Sequence, residues 1–180
     1  VVHCAGFKSL EESVLKPLEY YNDNVSSIMS LLRSMQRTGV RRLVHLSSIA
    51  VYGKSGLNLE ESQSFNYSYA NPYVKSQQMV EEIIRDTFRT DHEWNIAILR
   101  LSNIAGAFEH GILGEVVAPL PKNIVPLAMQ VAVKQREAIE LRQQANTADQ
   151  TVERSFVHVL DACEAVIASL HWLFQQTHSC

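Results

Sequence analysis

The sequence predicts an α/β protein built on a parallel sheet, and two features lead to this prediction. Short apolar runs and longer segments with helical periodicity alternate through roughly the first hundred of the 180 residues. The longer segments have the length of crossover helices between parallel strands. The composition agrees, because 46% hydrophobic and 19% charged residues are ordinary values for a globular domain.

The first strand is expected at residues 1–4, where an apolar run ends at Ala5-Gly6. A helix is expected over residues 14–38, and Gly39 follows it as a terminator. The apolar side chains of this helix recur every three or four residues, at Val25, Ile28, Leu32 and Met35. This pattern gives the helix one face for the core.

A second buried strand is expected at residues 41–48, followed by a polar loop over residues 55–68. Pro72 is suited to the first position of the next helix. That helix has an apolar face formed by Val80, Ile83, Ile84 and Phe88. The run from Trp94 to Leu101 is rich in Ile and Leu and predicts a third strand.

The remaining sequence is less regular. Residues 106–121 carry glycines and prolines typical of a loop, and residues 123–142 can form a helix. A short strand is expected at residues 155–159, and Asp161 can cap a last helix over residues 162–176. We therefore expect three parts, residues 1–105 of a main domain, 106–154 of a substrate-binding region, and 155–180 returning to the main domain.

Several function classes are disfavoured by the composition. A net charge of −3 without a basic patch argues against nucleic acid, and no apolar run is long enough to predict a membrane span. Cys4, Cys163 and Cys180 have no metal-binding spacing, so reduced thiols and no metal site are expected. We expect a cytoplasmic protein. Because the sequence starts within an apparent strand and lacks an initiator Met, we expect it to be a piece of a longer protein.

The chemistry is expected where the strands end, because open parallel sheets bind ligands beyond the carboxyl ends of their strands. Ser48 ends the second strand, and Tyr73 lies at the start of the following helix. A tyrosine with a pKa of about 10 becomes a useful base only when a positive charge stabilises its phenolate. The position one turn later is Gln77, and Lys75 lies roughly 200° around the helix.

Simpler interpretations of these residues also exist. A Ser-Ser pair at a strand end can be only a turn, and Tyr73 can be a packed aromatic residue at a helix start. His158 lies between two valines, which favours a core histidine over a catalytic base. Neither a G-x-S-x-G elbow nor a glycine-rich dinucleotide fingerprint occurs in the sequence.

A set of motifs runs through most of the chain, namely Val2-His3-Cys4-Ala5-Gly6-Phe7-Lys8, Glu12-Ser13-Val14, Lys16-Pro17-Leu18-Glu19-Tyr20-Tyr21, Asn24-Val25, Ser47-Ser48-Ile49-Ala50-Val51-Tyr52-Gly53, Asn71-Pro72-Tyr73-Val74-Lys75-Ser76, Arg100 with Asn103, and Asn123 with Pro126. Together these motifs resemble the UDP-glucose 4-epimerase family. The resemblance runs in register from Val1 to about Leu170. The motifs at residues 47–53 and 72–76 are shared with the wider extended short-chain dehydrogenase family.

The resemblance implies the later strands of a Rossmann-like doubly wound parallel sheet, plus the start of a smaller substrate domain. It implies NAD as cofactor and the interconversion of UDP-glucose and UDP-galactose by oxidation and re-reduction at sugar C4. Tyr73 would exchange the proton of the 4-hydroxyl, and Ser48 would hydrogen-bond the same oxygen. The family also implies a homodimer that packs through helices at residues 17–38 and 72–90.

The resemblance further implies which residues line the two binding sites. The cofactor would be lined by Ala5, Gly6, Lys8, Asn24, Ser47 and Tyr73. The nucleotide sugar would be held by Ser48, Asn103, Asn123 and Arg154. The arginine suits a diphosphate, and the two asparagine amides suit phosphate or uracil edges.

The sequence departs from the family pattern most clearly at Gln77, where the family has the lysine that lowers the tyrosine pKa. Later departures are Leu101, Ser102, Ile104, Gln143, Gln150 and Val152. These changes leave open a relative that binds nucleotide sugar without turning it over. A third alternative, a nucleotide-sugar dehydratase, would need acidic residues after Ser48, where the sequence has Ile49-Ala50.

Overall fold

A computed structural model describes most of the chain, which divides into two compact units. The described residues are 1–53, 59–67, 70–116, 121, 123–140, 148, 150–151 and 153–176. The first unit comprises Val1–Ser102 and Cys163–Cys180, and the second comprises Asn103–Ala162.

The first unit contains a three-stranded parallel sheet in the order β1-β2-β3. Its strands are β1 at Val2–His3, β2 at Arg42–Ser48 and β3 at Asn95–Leu101. The predicted parallel sheet is thus confirmed. The expected burial of the first strand is wrong, because β1 lies at the edge of this sheet and Val2 is 38% exposed.

The helical region expected at residues 14–38 is divided into four consecutive segments. Helix α1 spans Leu10–Leu15, α2 spans Pro17–Tyr21, a π-helical turn spans Asn22–Ser26, and α3 spans Ser27–Thr38. Proline has no N–H to donate, so Pro17 starts α2 and does not continue α1. Gly39 ends α3 with a left-handed φ of 72°, as the sequence predicts.

The main core lies between α3, the sheet and α4, which spans Pro72–Thr90. Its buried members come from both helices, from β2 and from the residue just before β3, namely Ile28, Leu32, Met35, Leu43, Val80, Ile84 and Trp94. The predicted apolar faces of the two helices are therefore confirmed. The Asn71 side chain caps α4 by accepting a hydrogen bond from the Val74 N–H at 2.9 Å.

Helix α6, at Val159–Gln175, packs on the opposite side of β2. Arg42 donates to the Leu173 carbonyl at 3.1 Å and stacks on Phe174, while the neighbouring Leu43 belongs to the core beside α3 and α4. Successive strand residues point to opposite faces, so helices cover both faces of the sheet. The doubly wound α/β class is confirmed. Asp161 lies inside the first turn of α6 and does not cap it.

The second unit contains a small parallel sheet of β4 at Asn103–Ala105 and β5 at Phe156–His158. The short second strand of this pair is as predicted. His158 is exposed, so its expected place in a core is wrong. Its ring lies so close to Gly106 that a Cβ there would be 2.2 Å from Nε2, which only glycine avoids.

Helix α5, at Ile124–Ala132, is shorter than the helix expected at residues 123–142. The helix ends because Lys134 adopts a φ of 60°, which a right-handed helix cannot contain. Gln150 has a φ of 59°, a left-handed value that glycine adopts more readily than other residues. Gln143 and Val152 lie outside the described residues.

The loop regions agree with expectation where they are described. Residues 59–67 contain no strand, and residues 106–116 contain only a 3₁₀ turn at Glu109–Gly111 and an isolated bridge between Phe108 and Leu113. Within the described parts of the chain, no helix is both long and apolar enough to cross a membrane.

Candidate functional site

The candidate site lies at the carboxyl edge of the three-stranded sheet. In the register of β2 and β3, Ser47 pairs with Arg100 and Ser48 pairs with Leu101. The loop that follows β1 emerges at the same edge, because all three strands are parallel. The edge predicted from the sequence is therefore the one at which the chain assembles its polar groups.

Ser48 and Tyr73 are brought together at this edge. Ser48 is the last residue of β2, and its Oγ accepts a hydrogen bond from the Ala50 N–H at 3.2 Å, capping a 3₁₀ turn at Ile49–Tyr52. Tyr73 is the second residue of α4, and its side chain hydrogen-bonds that of Ser48. A hydroxyl and a phenol next to each other can share one oxygen of a bound molecule.

The environment of Tyr73 keeps its phenol protonated at neutral pH. Burial raises the pKa of Tyr73, and the hydrogen bond with Ser48 acts in the opposite direction without reversing the rise. Gln77 lies one turn along α4 and is 9% exposed. Its amide carries no charge, so this position supplies no electrostatic stabilisation of a phenolate.

The loop after β1 is held by the buried side chain of Asn24. The Asn24 Oδ1 accepts from the Phe7 N–H at 2.8 Å, and its Nδ2 donates to the Phe7 carbonyl at 3.2 Å. Gly6 has a φ of 146°, and a Cβ there would lie 2.8 Å from Asn24 Oδ1. Ala5, Gly6 and Lys8 are exposed. A glycine-containing backbone followed by a lysine fits a phosphate-bearing cofactor.

A buried charge network braces this edge, and Glu81 on α4 is its centre. The fully buried Glu81 carboxylate accepts from Arg100 Nη2 at 2.8 Å, from Arg85 Nη2 at 2.8 Å and from Ser47 Oγ at 2.6 Å. Arg100 also donates to the Tyr52 hydroxyl at 2.7 Å. Ser47 therefore lies at the predicted edge with its hydroxyl proton engaged by the protein.

The sequence interpretation missed this network, although two signals for it exist. Arg100 follows four consecutive apolar residues in β3, and Glu81 is next to the core residue Val80 in α4. A buried charge requires a partner of opposite sign, which links the two positions. The hydrogen bonds with Glu81 raise the pKa of Arg100 further.

A histidine pair joins β1 to β2 just before the loop at residues 5–8. His3 and His45 are register partners, and their Nδ1 atoms are 3.1 Å apart with the rings stacked. Burial, followed by the neighbouring His3, lowers the pKa of His45 to about 4. Burial also lowers the pKa of His3. Both rings are therefore neutral near pH 7, and one can donate to the other.

Three of the four predicted substrate residues, all except Ser48, lie in the second unit. Asn103 begins β4, and its Nδ2 donates to the Ser155 carbonyl at 3.0 Å, next to the exposed Arg154. Asn123 precedes α5, but its side chain makes no capping hydrogen bond. Asn103 therefore contacts the residue that follows Arg154 in the sequence. Among the described residues, no contact joins Asn123 to Asn103 or to Arg154.

No three His, Cys, Asp or Glu side chains in the described part of the chain group closely enough to hold an ion.

Comparison with known proteins gives a consistent set of relatives. The chain is 43% identical to UDP-glucose 4-epimerase 2 of Oryza sativa subsp. japonica, over 98% of this chain and 43% of that protein. It is 40% identical to the UDP-glucose 4-epimerase of Homo sapiens, over 98% of this chain and 51% of that protein. The chain therefore spans about half the length of these relatives.

The solved structures that resemble this chain include UDP-glucose 4-epimerases as well. A UDP-glucose 4-epimerase from Stenotrophomonas maltophila, crystallised with NAD and formylated UDP-arabinopyranose, superposes with a TM-score of 0.92 at 33% identity. The alignment covers 99% of this chain and 53% of that one. The enzyme from Bifidobacterium longum, in complex with NAD⁺ and UDP, gives a TM-score of 0.89 at 35% identity, over 95% of this chain and 51% of that one. Residues 1–178 match the model of the NAD dependent epimerase/dehydratase family, and the chain belongs to this family.

Proposed function

We propose that the protein to which this chain belongs interconverts UDP-glucose and UDP-galactose with NAD as its cofactor. The observation that carries the proposal is the pairing of Ser48 with Tyr73 at the carboxyl edge of a parallel sheet. The fold and the relatives support it, because UDP-glucose 4-epimerases match the chain in both sequence and structure. When bound, NAD supplies the acceptor and donor of the hydride exchanged at sugar C4.

Tyr73 and Ser48 are the proposed catalytic residues. In its phenolate form, Tyr73 would take the proton of the sugar 4-hydroxyl when C4 is oxidised and would return it when C4 is reduced from the other face. Ser48 donates a hydrogen bond to the same oxygen and so stabilises the charge that develops on it. The interaction between the two side chains supports this assignment, because it brings both close enough to bind one oxygen of a bound sugar.

The cofactor is proposed to lie against the loop after β1 and the end of β2. The proposed lining residues are Ala5, Gly6, Lys8, Asn24, Ser47 and Tyr73. Exposure of the loop at residues 5–8 supports this choice, as does the absence of a side chain at Gly6. Asn24 and Ser47 use their polar groups within the protein, so their proposed part is to shape this surface.

The nucleotide part of the substrate is proposed to be held by Asn103, Asn123 and Arg154 in the second unit. The exposure of Arg154 and of Asn123, whose side chain does not cap α5, supports this proposal, because an exposed side chain can reach an outside ligand. An arginine can bind a diphosphate through two parallel hydrogen bonds. Arg154→Met should therefore weaken binding of UDP in the full-length protein, measured by calorimetry.

A second candidate function is a nucleotide-sugar-binding protein without turnover, and Gln77 is the observation that favours it. Without a cation at this position, and with its pKa raised by burial, Tyr73 stays protonated at neutral pH and offers little phenolate to act as a base. The two candidates are separated by incubating the full-length protein with UDP-galactose and measuring UDP-glucose and bound NAD. Conversion supports the epimerase, whereas saturable binding of UDP-galactose without conversion supports the second candidate.

Homodimerisation and a cytoplasmic location are further parts of the proposal. Leu18 on α2 and Met79 on α4 are 78% and 41% exposed, which supports a contact between copies through residues 17–38 and 72–90. Light scattering on the full-length protein should give the mass of a dimer, and a monomer at micromolar concentration would contradict it. Fractionation of cells that express the protein tests the location.

A further inference from the structure

We propose that Ser76 is a positioning residue that couples, through Asn24, the loop at residues 5–8 to the backbone of Tyr73. The inference rests on the proposed function, because it connects the loop proposed to line the cofactor with the tyrosine proposed to transfer the proton. It is carried by an unbroken series of hydrogen bonds between groups that lie far apart in sequence.

The series begins at the loop after β1. Asn24 accepts from the Phe7 N–H and donates one of its two amide protons to the Phe7 carbonyl. The second amide proton goes to Ser76 Oγ at 2.8 Å, across a separation of 52 residues. Ser76 Oγ then donates its single proton to the Tyr73 carbonyl at 2.7 Å. Every proton in the series has one acceptor, so its direction is fixed.

The members of the series are shielded from water. Ser76 is fully buried and Asn24 is 3% exposed, so neither can replace a lost partner with solvent. If the Asn24 amide were reversed, Nδ2 would face the Phe7 N–H, donor against donor. The series therefore has one satisfied arrangement, and this arrangement sets the distance between the loop and the first turn of α4.

The local backbone supports a functional role for this coupling. Asn24 lies within the π-helical turn at Asn22–Ser26, an element frequent at functional sites. Gly6 leaves room for the close approach of Asn24, since a Cβ there would be 2.8 Å from its Oδ1. Ser76 also adds a second hydrogen bond to a carbonyl in the helical turn that presents the Tyr73 phenol.

Ser76→Ala in the full-length protein tests the proposal, with Thr87→Val as its matched control. Thr87 lies on the same helix and also donates to a backbone carbonyl, that of Ile83 at 2.8 Å, but Thr87 is not linked to Asn24. Ser76→Ala should lower kcat for UDP-galactose conversion by about tenfold or more, because a misplaced tyrosine slows proton transfer. KM should stay within about twofold, since the substrate contacts are unchanged. Thr87→Val should leave both constants unchanged.

A double-mutant cycle separates coupling from simple loss of stability. Asn24→Asp keeps the size of the side chain and removes both N–H donors. If the two residues act through each other, the double variant should lose no more kcat than the worse single variant. Losses that multiply, or an unchanged kcat in Ser76→Ala, would overturn the proposal.

Hydrogen exchange tests the coupling without any need for turnover. Ser76→Ala should speed amide exchange in a peptide covering residues 5–8, while exchange in β2 stays as in the unmodified protein. If the unmodified protein does not convert UDP-galactose, but Ser76→Ala still speeds exchange in residues 5–8, the proposed function is contradicted and the coupling is supported. An active protein in which Ser76→Ala changes neither kcat nor exchange would overturn the coupling alone.

Discussion

Gln77→Lys should restore a positive charge one helical turn from Tyr73 and lower the tyrosine pKa. Side chains one turn apart on a helix are separated by about 5–6 Å at their Cβ atoms. At about 6 Å and an effective dielectric constant of about 20, two unit charges interact with about 3 kcal/mol. This energy equals about 2 pKa units, so the phenolate fraction at neutral pH should rise about a hundredfold.

The assay is the pH dependence of kcat/KM for UDP-galactose conversion by the full-length protein. A lower Tyr73 pKa makes the base available at lower pH, so the rising limb should move about 2 units towards acid. Ultraviolet difference titration against a Tyr73→Phe background reports the same group directly. Gln77→Met, which is similar in size and neutral, should leave the limb where it is. A limb that moves equally in both variants, or in neither, would refute the electrostatic reasoning.

Three further predictions concern the support of the site. His45→Phe should make stability less dependent on acid pH. Because burial lowers the pKa of His45 to about 4, the neutral ring contributes about 3 kcal/mol to the free energy of unfolding above pH 6.5, and this contribution is lost as the pH falls towards 4. Urea midpoints that vary between pH 4 and 7 as in the unmodified protein would contradict this prediction. Arg100→Met should lower the free energy of unfolding by about 3–5 kcal/mol, because it removes one of the cations that pair with the buried Glu81. Arg89→Met is the control and should hardly change this free energy, because the Arg89 side chain is 71% exposed in its pair with Asp86. Gly6→Ala should reduce bound NAD in the purified full-length protein, because the new Cβ strains the loop and displaces Asn24; undiminished NAD content would count against the loop's proposed role.

The fold could be predicted because local patterns and tertiary structure agree in the first unit. The three-residue and four-residue spacing in α3 and α4 is the spacing of the side chains in the core. The divided helical region before α3 could be foreseen only in part, because Pro17 signals a new start but nothing local signals the π-helical turn. The early end of α5 was also hidden, since a left-handed lysine at residue 134 has no sequence signature.

The candidate site could be predicted from the sequence only in part, namely where its residues follow from the ends of predicted strands and helices. Ser48 and Tyr73 follow from the rule that parallel strands gather their carboxyl ends, and the chain brings them together. The Asn24–Ser76 contact and the Glu81–Arg100 pair join residues 52 and 19 positions apart, whose pairing depends on how the helices pack. Periodicity describes one element at a time, so it cannot show such contacts. His158 was misplaced because two flanking valines suggest burial, whereas β5 belongs to a two-stranded sheet that leaves it exposed.

The central claim is that the Ser48–Tyr73 pair performs proton transfer at sugar C4. Its most direct test compares UDP-galactose conversion by the full-length protein and by Tyr73→Phe, with bound NAD measured in the same preparations. The account predicts that Tyr73→Phe lowers kcat by about 10²- to 10⁴-fold while NAD content and the circular dichroism spectrum are kept. A Tyr73→Phe protein that converts UDP-galactose within twofold of the unmodified rate would contradict it.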